Sequence, residues 1–210
     1  MPKPKIGLWI VGARGGVAVS AAVGLSALRQ QLTPPVGLVS ALPEFSHLPL
    51  PDWDQFVVGG HEIRSCSLSS EAARLHRESR VFNESLLEAC REELEAVDSR
   101  ICPGTIWNVG ETIRKLADGP ALEQEDASPQ QIVERLQADL TEFKQVNDLQ
   151  CVVVVNLAST EAPVPESDWP ATWEEAQQSL ASADCSFPAS TLYAIAALDL
   201  GFPFVNFTPS

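Results

Sequence analysis

The chain opens with a short apolar run, residues 6–11 (IGLWIV), that breaks at once into Gly12-Ala-Arg-Gly-Gly-Val-Ala18. Glycines at 12, 15 and 16 permit a tight turn, and residues 17–32, rich in alanine and leucine, carry apolar positions at helical spacing. Strand, glycine turn and helix in this order commit the start of the chain to a βα unit, whose next strand is reached by a right-handed crossover and lies parallel. Thr33-Pro-Pro35 stops the helix, and residues 36–40 (VGLVS) read as that second strand. The fold class is therefore α/β, Rossmann-type and doubly wound, with a mainly parallel sheet. Absent side chains at Gly12, Gly15 and Gly16 would also let backbone amides approach an anion at the positive end of a helix. The spacing G-x-x-G-G departs from G-x-G-x-x-G, so by itself it leaves open both a phosphate cradle and a turn that binds nothing.

Composition narrows the function classes. With 210 residues the chain can bury a full core as one unit, and the whole of 1–210 is read as one domain. Acidic residues outnumber basic ones two to one, the net charge is -14, and no basic cluster interrupts the field, so nucleic acid is a poor partner. No apolar run approaches the roughly 18–20 residues that span a bilayer. The start lacks the apolar core and cleavage site of a secretory signal. Five widely spaced cysteines, an odd number without a C-x-x-C pair, read as reduced thiols, and the expectation is a cytoplasmic protein without membrane contact. His47, His61 and His76 fall in no metal-binding spacing, so no metal site is expected.

Further along, residues 56–63 (FVVGGHEI) form another short apolar stretch with glycines. Leu86, Leu87, Cys90, Leu94 and Val97 share one face of an acidic helix, and residues 117–128 read as a surface loop. Ser128 caps a helix with Pro129 in its first turn and Ile132, Val133, Leu136, Leu140 and Phe143 on one face. It leads into residues 151–155 (CVVVV), a β-branched run expected of a parallel strand covered on both sides. Residues 156–161 (NLASTE) then lie at the carboxyl end of that strand, where open α/β sheets bind ligands. Helices at 172–181 and 189–200 and a last strand at 202–206 complete the order.

Four segments in sequence carry a resemblance beyond the glycine turn. Gly59-Gly-His-Glu-Ile63, Ser159-Thr-Glu161, Pro188-Ala-Ser-Thr-Leu-Tyr-Ala194 and Pro203-Phe-Val-Asn-Phe-Thr-Pro209 match, in order, the G-G-x-D-I, N-T-E, P-S-T-x-x-A-A and P-[FY]-[IV]-N-G-S-P segments of the inositol-3-phosphate synthase family. The chain resembles the NAD-binding part of that family over nearly its whole length. The resemblance implies NAD as cofactor, held by Gly12, Ala13, Arg14, Gly15, Gly16 and Val17 around the pyrophosphate. Glu62 would hold the ribose, and Ala158, Ser159, Thr160, Asn206 and Thr208 would serve as further contacts. Glu62 replaces the family's aspartate, and Phe207 stands where many members have glycine. Glu44, nearer the generic spacing for a ribose acid, lies 32 positions beyond Gly12 and is the weaker candidate. Arg14 itself reads either as a counter-charge to the pyrophosphate or as an exposed loop-tip arginine, and His61 as a turn residue.

The family reaction oxidises glucose 6-phosphate at its fifth carbon with NAD, enolises the ketone, closes the ring and returns the hydride. The resemblance thus implies an NAD-dependent isomerase of inositol and phospholipid biosynthesis with glucose 6-phosphate as substrate. The family's later lysine-bearing segments have no counterpart among Lys3, Lys5, Lys115 and Lys144. An incomplete domain is expected, with an exposed edge or apolar patch open to a missing carboxyl-terminal half or to a second copy. A non-catalytic nucleotide-binding module and an NAD(P) dehydrogenase of another family are the alternatives.

Overall fold

The computed structural model describes residues 3–124, 126–166, 169–182 and 184–208. Its centre is β1 (Lys5–Val11), flanked by β2 (Phe56–Glu62) and β4 (Leu149–Asn156), with β3 (Ile101–Pro103) and β5 (Phe204–Asn206) at the edges. The order β3-β2-β1-β4-β5 is parallel throughout. The Rossmann-type reading holds: the strands run outward from β1 through β2 to β3 and then return to β4 on the other side. That reversal opens a crevice between the carboxyl ends of β1 and β4, the place where such sheets take their ligands.

Helices cover both faces. On one, α1 (Gly16–Arg29), α2 (Leu68–Ser79) and α3 (Glu84–Asp98) enclose Ile10 and Val58 with Val19, Val23, Leu68, Cys90 and Leu94. Two short helices follow, α4 (Glu111–Arg114) and α5 (Pro120–Glu123). The stretch 117–128 is thus not simply a surface loop, since Ala121 of α5 is buried. On the other face α6 (Pro129–Val146), α7 (Trp173–Leu180) and α8 (Ala189–Asp199) pack over Trp9, Val11, Val152 and Val154. The α6 start is as its sequence dictates: the Ser128 hydroxyl accepts from the Gln131 N–H, and the Gln131 side chain accepts from the Ser128 N–H.

The second strand is not where apolar content placed it. Residues 36–40 lie outside the sheet, Val36 is 84% exposed, Gly37 takes φ +82°, and a single 3-10 turn (Val39–Ala41) follows. The position beside β1 belongs to β2 because of close packing. A Cβ at Gly60 would strike the Ile10 carbonyl oxygen, and one at Gly59 would come within 2.9 Å of the Phe143 ring. Glycines face β1 where a larger residue would hold the strands and the α6 helix apart. Segment 59–62 therefore lies inside a strand, with its last two residues, His61 and Glu62, at the crevice.

The expectation of a β4 covered on both faces is met on one. Val152 and Val154 are buried, whereas Val153 and Val155 are half-buried, with Val205 and Phe207 exposed nearby in sequence order on β5 and beyond it. Pro209 and Ser210, the end of the last matched segment, lie outside the described residues.

Candidate functional site

The loops after β1 and β4 touch. Gly12 sits at φ +78°, and a Cβ there would come 2.9 Å from the Ala158 Cα, so this position needs glycine for both conformation and space. The Leu157 N–H donates to the Val11 carbonyl at 3.0 Å. Between them opens a cavity of about 220 Å³, to whose lining Gly12, Gly15, Glu62, Ala158 and Ser159 contribute.

Most of the glycine-loop amides are already engaged. The Gly12 and Ala13 N–H groups donate to the His61 carbonyl at 2.9 and 3.1 Å, that of Arg14 to Glu62 Oε2 at 2.8 Å, and that of Gly15 to the Gly12 carbonyl at 2.9 Å. No side chain caps α1. The N–H groups of Gly16 and Val17, both exposed, are left without an acceptor among the described residues, at the positive end of a fourteen-residue helix. Ala13 is buried and shapes the loop without offering a free donor.

Glu62 ends β2 at the same crevice and is 6% exposed, so it is not a loose loop carboxylate. Besides the Arg14 amide it accepts from the N–H of Ile63 at 2.9 Å and of Arg64 at 3.2 Å. The Arg64 guanidinium adds Nε at 3.4 Å and Nη2 at 3.2 Å. Burial works against the Arg64 charge, and the Glu62 carboxylate more than restores it, so its pKa lies above the ordinary arginine value. Arg14 is not an exposed loop tip either. Its Nε meets Asp98 at 3.0 Å and its Nη1 donates to the Arg64 carbonyl at 2.8 Å, clamping the glycine loop to the end of α3 and to the segment after β2.

His61 is a buried strand residue, not a turn. The Trp9 indole N–H donates to its Nδ1 at 2.8 Å, and Nε2 lies 2.9 Å from Asp139, which Arg135 also reaches at 3.3 Å. Since Nδ1 accepts, Nε2 carries the hydrogen. Burial lowers the His61 pKa, with Asp139 opposing.

The candidates after β4 divide. Ser159 and Thr160 are exposed, Ser159 in the cavity lining and Thr160 outside it, and neither hydroxyl has a turn-capping hydrogen bond among the described residues. Asn206 and Thr208 do not line the cavity; they reach its edge through Asn156, whose Nδ2 donates to Asn206 Oδ1 at 3.0 Å while the Thr208 hydroxyl donates to the same oxygen at 2.8 Å. Glu44 is exposed in a 3-10 turn and belongs to no part of the crevice.

Sequence reasoning singled out neither Arg64 nor three further lining residues, Asn156, Glu161 and Tyr193. Asn156 is buried and its Oδ1 accepts from the Ala158 N–H at 3.2 Å, fixing the turn after β4. Glu161 accepts from the Ser190 N–H at 3.1 Å and so caps the start of α8, whose first residues no other side chain caps. The Tyr193 hydroxyl accepts from the Thr105 N–H at 3.0 Å, and burial pushes its pKa well up, keeping it protonated. All three fall in segments named above, but only a buried polar side chain at a strand end or helix start marks them out, and burial is not written in a motif.

The comparisons agree with this architecture. A family model for NAD binding, described as myo-inositol-1-phosphate synthase, matches residues 6–210. Inositol-3-phosphate synthase 1 of Bacteroides thetaiotaomicron is 27% identical across 98% of this chain and 48% of its own length. An Arabidopsis thaliana inositol-3-phosphate synthase isozyme is 30% identical across 80% of this chain and 31% of its own. The crystal structure of inositol-3-phosphate synthase from Caenorhabditis elegans superposes with a TM-score of 0.80 at 22% identity, over 99% of this chain and 45% of that one. The chain thus spans about half the length, or less, of the relatives it matches. It belongs to the myo-inositol-1-phosphate synthase family.

Proposed function

We propose that this chain is the NAD-binding part of an inositol-3-phosphate synthase, an isomerase that converts glucose 6-phosphate to inositol phosphate, and that 1–210 acts as one cofactor domain. The observation that carries the reading is the set of unengaged amides at the start of α1, Gly16 and Val17, directly after Gly15, which with Gly12 and Glu62 lines the switch-point crevice.

In this reading the Gly16 and Val17 N–H groups hold the pyrophosphate, and the space kept free at Gly12 and Gly15 lets it approach. Ala13 and Arg14 keep the loop in shape from behind, and Arg14 adds positive charge. Glu62 faces the adenosine ribose. Ala158 and Ser159 form the opposite wall, Ser159 and the adjoining Thr160 offer hydroxyls, and Asn206 and Thr208 brace that wall through Asn156. A cavity of about 220 Å³ is smaller than the roughly 300–1,000 Å³ of ligand pockets, so these walls enclose part of a dinucleotide and leave the rest on an open rim. Bound there, NAD would supply a reversible hydride acceptor for the sugar. The rest of the sugar chemistry is assigned to the protein of which such a chain is the cofactor-binding part.

We place this function in the cytoplasm and in inositol and phospholipid biosynthesis. All five thiols are free, which suits a reducing compartment, and no described helix is long and apolar enough to cross a membrane. The exposed apolar residues Val205 and Phe207 support assembly with further chain or with a second copy. Calorimetric titration with NAD tests the cofactor assignment. Saturable one-to-one binding is the expected result, and a folded sample that takes up no heat at millimolar NAD rejects it.

A further inference from the structure

A ribose-binding acid that selects NAD works as a bare carboxylate: its oxygens accept from the ribose hydroxyls and its charge repels a 2′-phosphate. Glu62 is not bare. A carboxylate offers about four lone-pair positions, and five donors from Arg14, Ile63 and Arg64 already converge on this one. Its charge is matched as well. Arg64 sets its guanidinium along both Glu62 oxygens, and its Nη2 also donates to the Arg14 carbonyl at 2.6 Å. The second acid near Arg64 is Glu71, at 3.4 Å, which takes its shorter ion pair, 2.8 Å, from Arg74. Asp98 is taken by Arg14 at 3.0 Å. Arg64 lines the crevice beside Glu62, with a quarter of its side chain exposed.

We propose that Arg64 is the specificity-determining residue of the ribose end, neutralising Glu62 so that the crevice accepts a dinucleotide with or without a 2′-phosphate. This rests on the reading of the crevice as a dinucleotide site. A 2′-phosphate arriving at Glu62 meets a guanidinium charge, with one Nη1 hydrogen not used by Glu62, Glu71 or the Arg14 carbonyl, in place of an uncompensated acid. The unphosphorylated ribose gains little from a carboxylate whose lone pairs are occupied. Discrimination between NAD and NADP is therefore weak, and it depends on Arg64.

The test is titration of the whole chain with NAD and with NADP separately, and then of Arg64→Met, which keeps the aliphatic stem and removes the charge. For the unaltered chain the NADP-to-NAD ratio of Kd values is expected below about thirtyfold, against the hundredfold or more that like charge at a bare acid imposes. In Arg64→Met the ratio is expected to rise at least tenfold, chiefly through weaker NADP binding. A ratio above about thirtyfold in the unaltered chain overturns the proposal even if the variant does not fold, and so does a folded variant with an unchanged ratio. Binding of neither dinucleotide defeats the cofactor reading itself and the proposal with it, whereas tight NAD with rejected NADP defeats the proposal alone.

Discussion

Acidification is expected to loosen this fold through one side chain, His61. Its ring is buried between Trp9, which donates to Nδ1, and Asp139, which receives the Nε2 hydrogen. A second proton has to go on Nδ1, against the Trp9 N–H, with no acceptor there. Burial lowers the His61 pKa from its ordinary 6.5 even with Asp139 pulling the other way. The sign follows from linkage: below pH 6.5 the unfolded chain binds this proton and the folded chain does not, so stability present above that pH is lost as the pH falls through the folded pKa. While the pH stays above the folded pKa, the step from 6.5 to 5.5 costs about 1 kcal/mol, or about 2–4 °C in Tm for a chain of this size. The assay is thermal unfolding at pH 7.5, 6.5 and 5.5 for the unaltered chain, for His61→Gln and for the exposed control His47→Gln. His61→Gln is expected to melt lower at neutral pH but to lose less on acidification, whereas His47→Gln keeps the full slope. Equal slopes for the unaltered chain and His61→Gln would refute the argument, because the carboxylates that remain are common to both.

Two further substitutions probe the loop and the core. Gly16→Pro deletes one of the free amides at the helix start, at the first helical position, where proline fits, after an extended Gly15 and with the nearest side-chain atom 3.8 Å from where a Cβ would stand; Tm is expected to hold within about 2 °C while NAD affinity in the same titration falls about tenfold or more. Phe143→Ala empties the space over Gly7 and Gly59 and beside Trp9, whose ring lies 4.9 Å away, and should cost about 3–5 kcal/mol by denaturant unfolding; a loss under about 1 kcal/mol would mean that α6 closes onto the sheet without it.

The fold was legible wherever a local pattern and its packing agree. The periodic face and the Ser128 cap of α6 are local, and so is the β-branched run of β4. Residues 36–40 misled because apolar content alone carries no information about which strand β1 can accept. That choice depends on Gly59 and Gly60 meeting Trp9 and Ile10 across the register, a long-range fit. At the site the glycine turn and Glu62 could be read from motif order. The pairing of Arg14 with Asp98, 84 positions away, and of His61 with Trp9 and Asp139, 52 and 78 positions away, could not. Each turned a residue read as exposed or turn-forming into a buried or half-buried tie. Nor could the sequence show that four of the loop amides that looked available to an anion are engaged by the His61 carbonyl, Glu62 and the Gly12 carbonyl.

The central place of β1 has a kinetic side. Its two neighbours come from widely separated parts of the sequence, with Ile6 aligned to Phe56 on one edge and to Cys151 on the other. Synthesis at about 5–20 residues per second separates the arrival of these partners by roughly 5–20 s. Throughout that interval the emerging chain can assemble β1, β2 and the helices between and beyond them, but the edge of β1 that later receives β4 has no strand to close it. Long-range parallel pairing of this kind is intrinsically slow, so the apolar row of β1 is the stretch most in need of protection while the chain is being made.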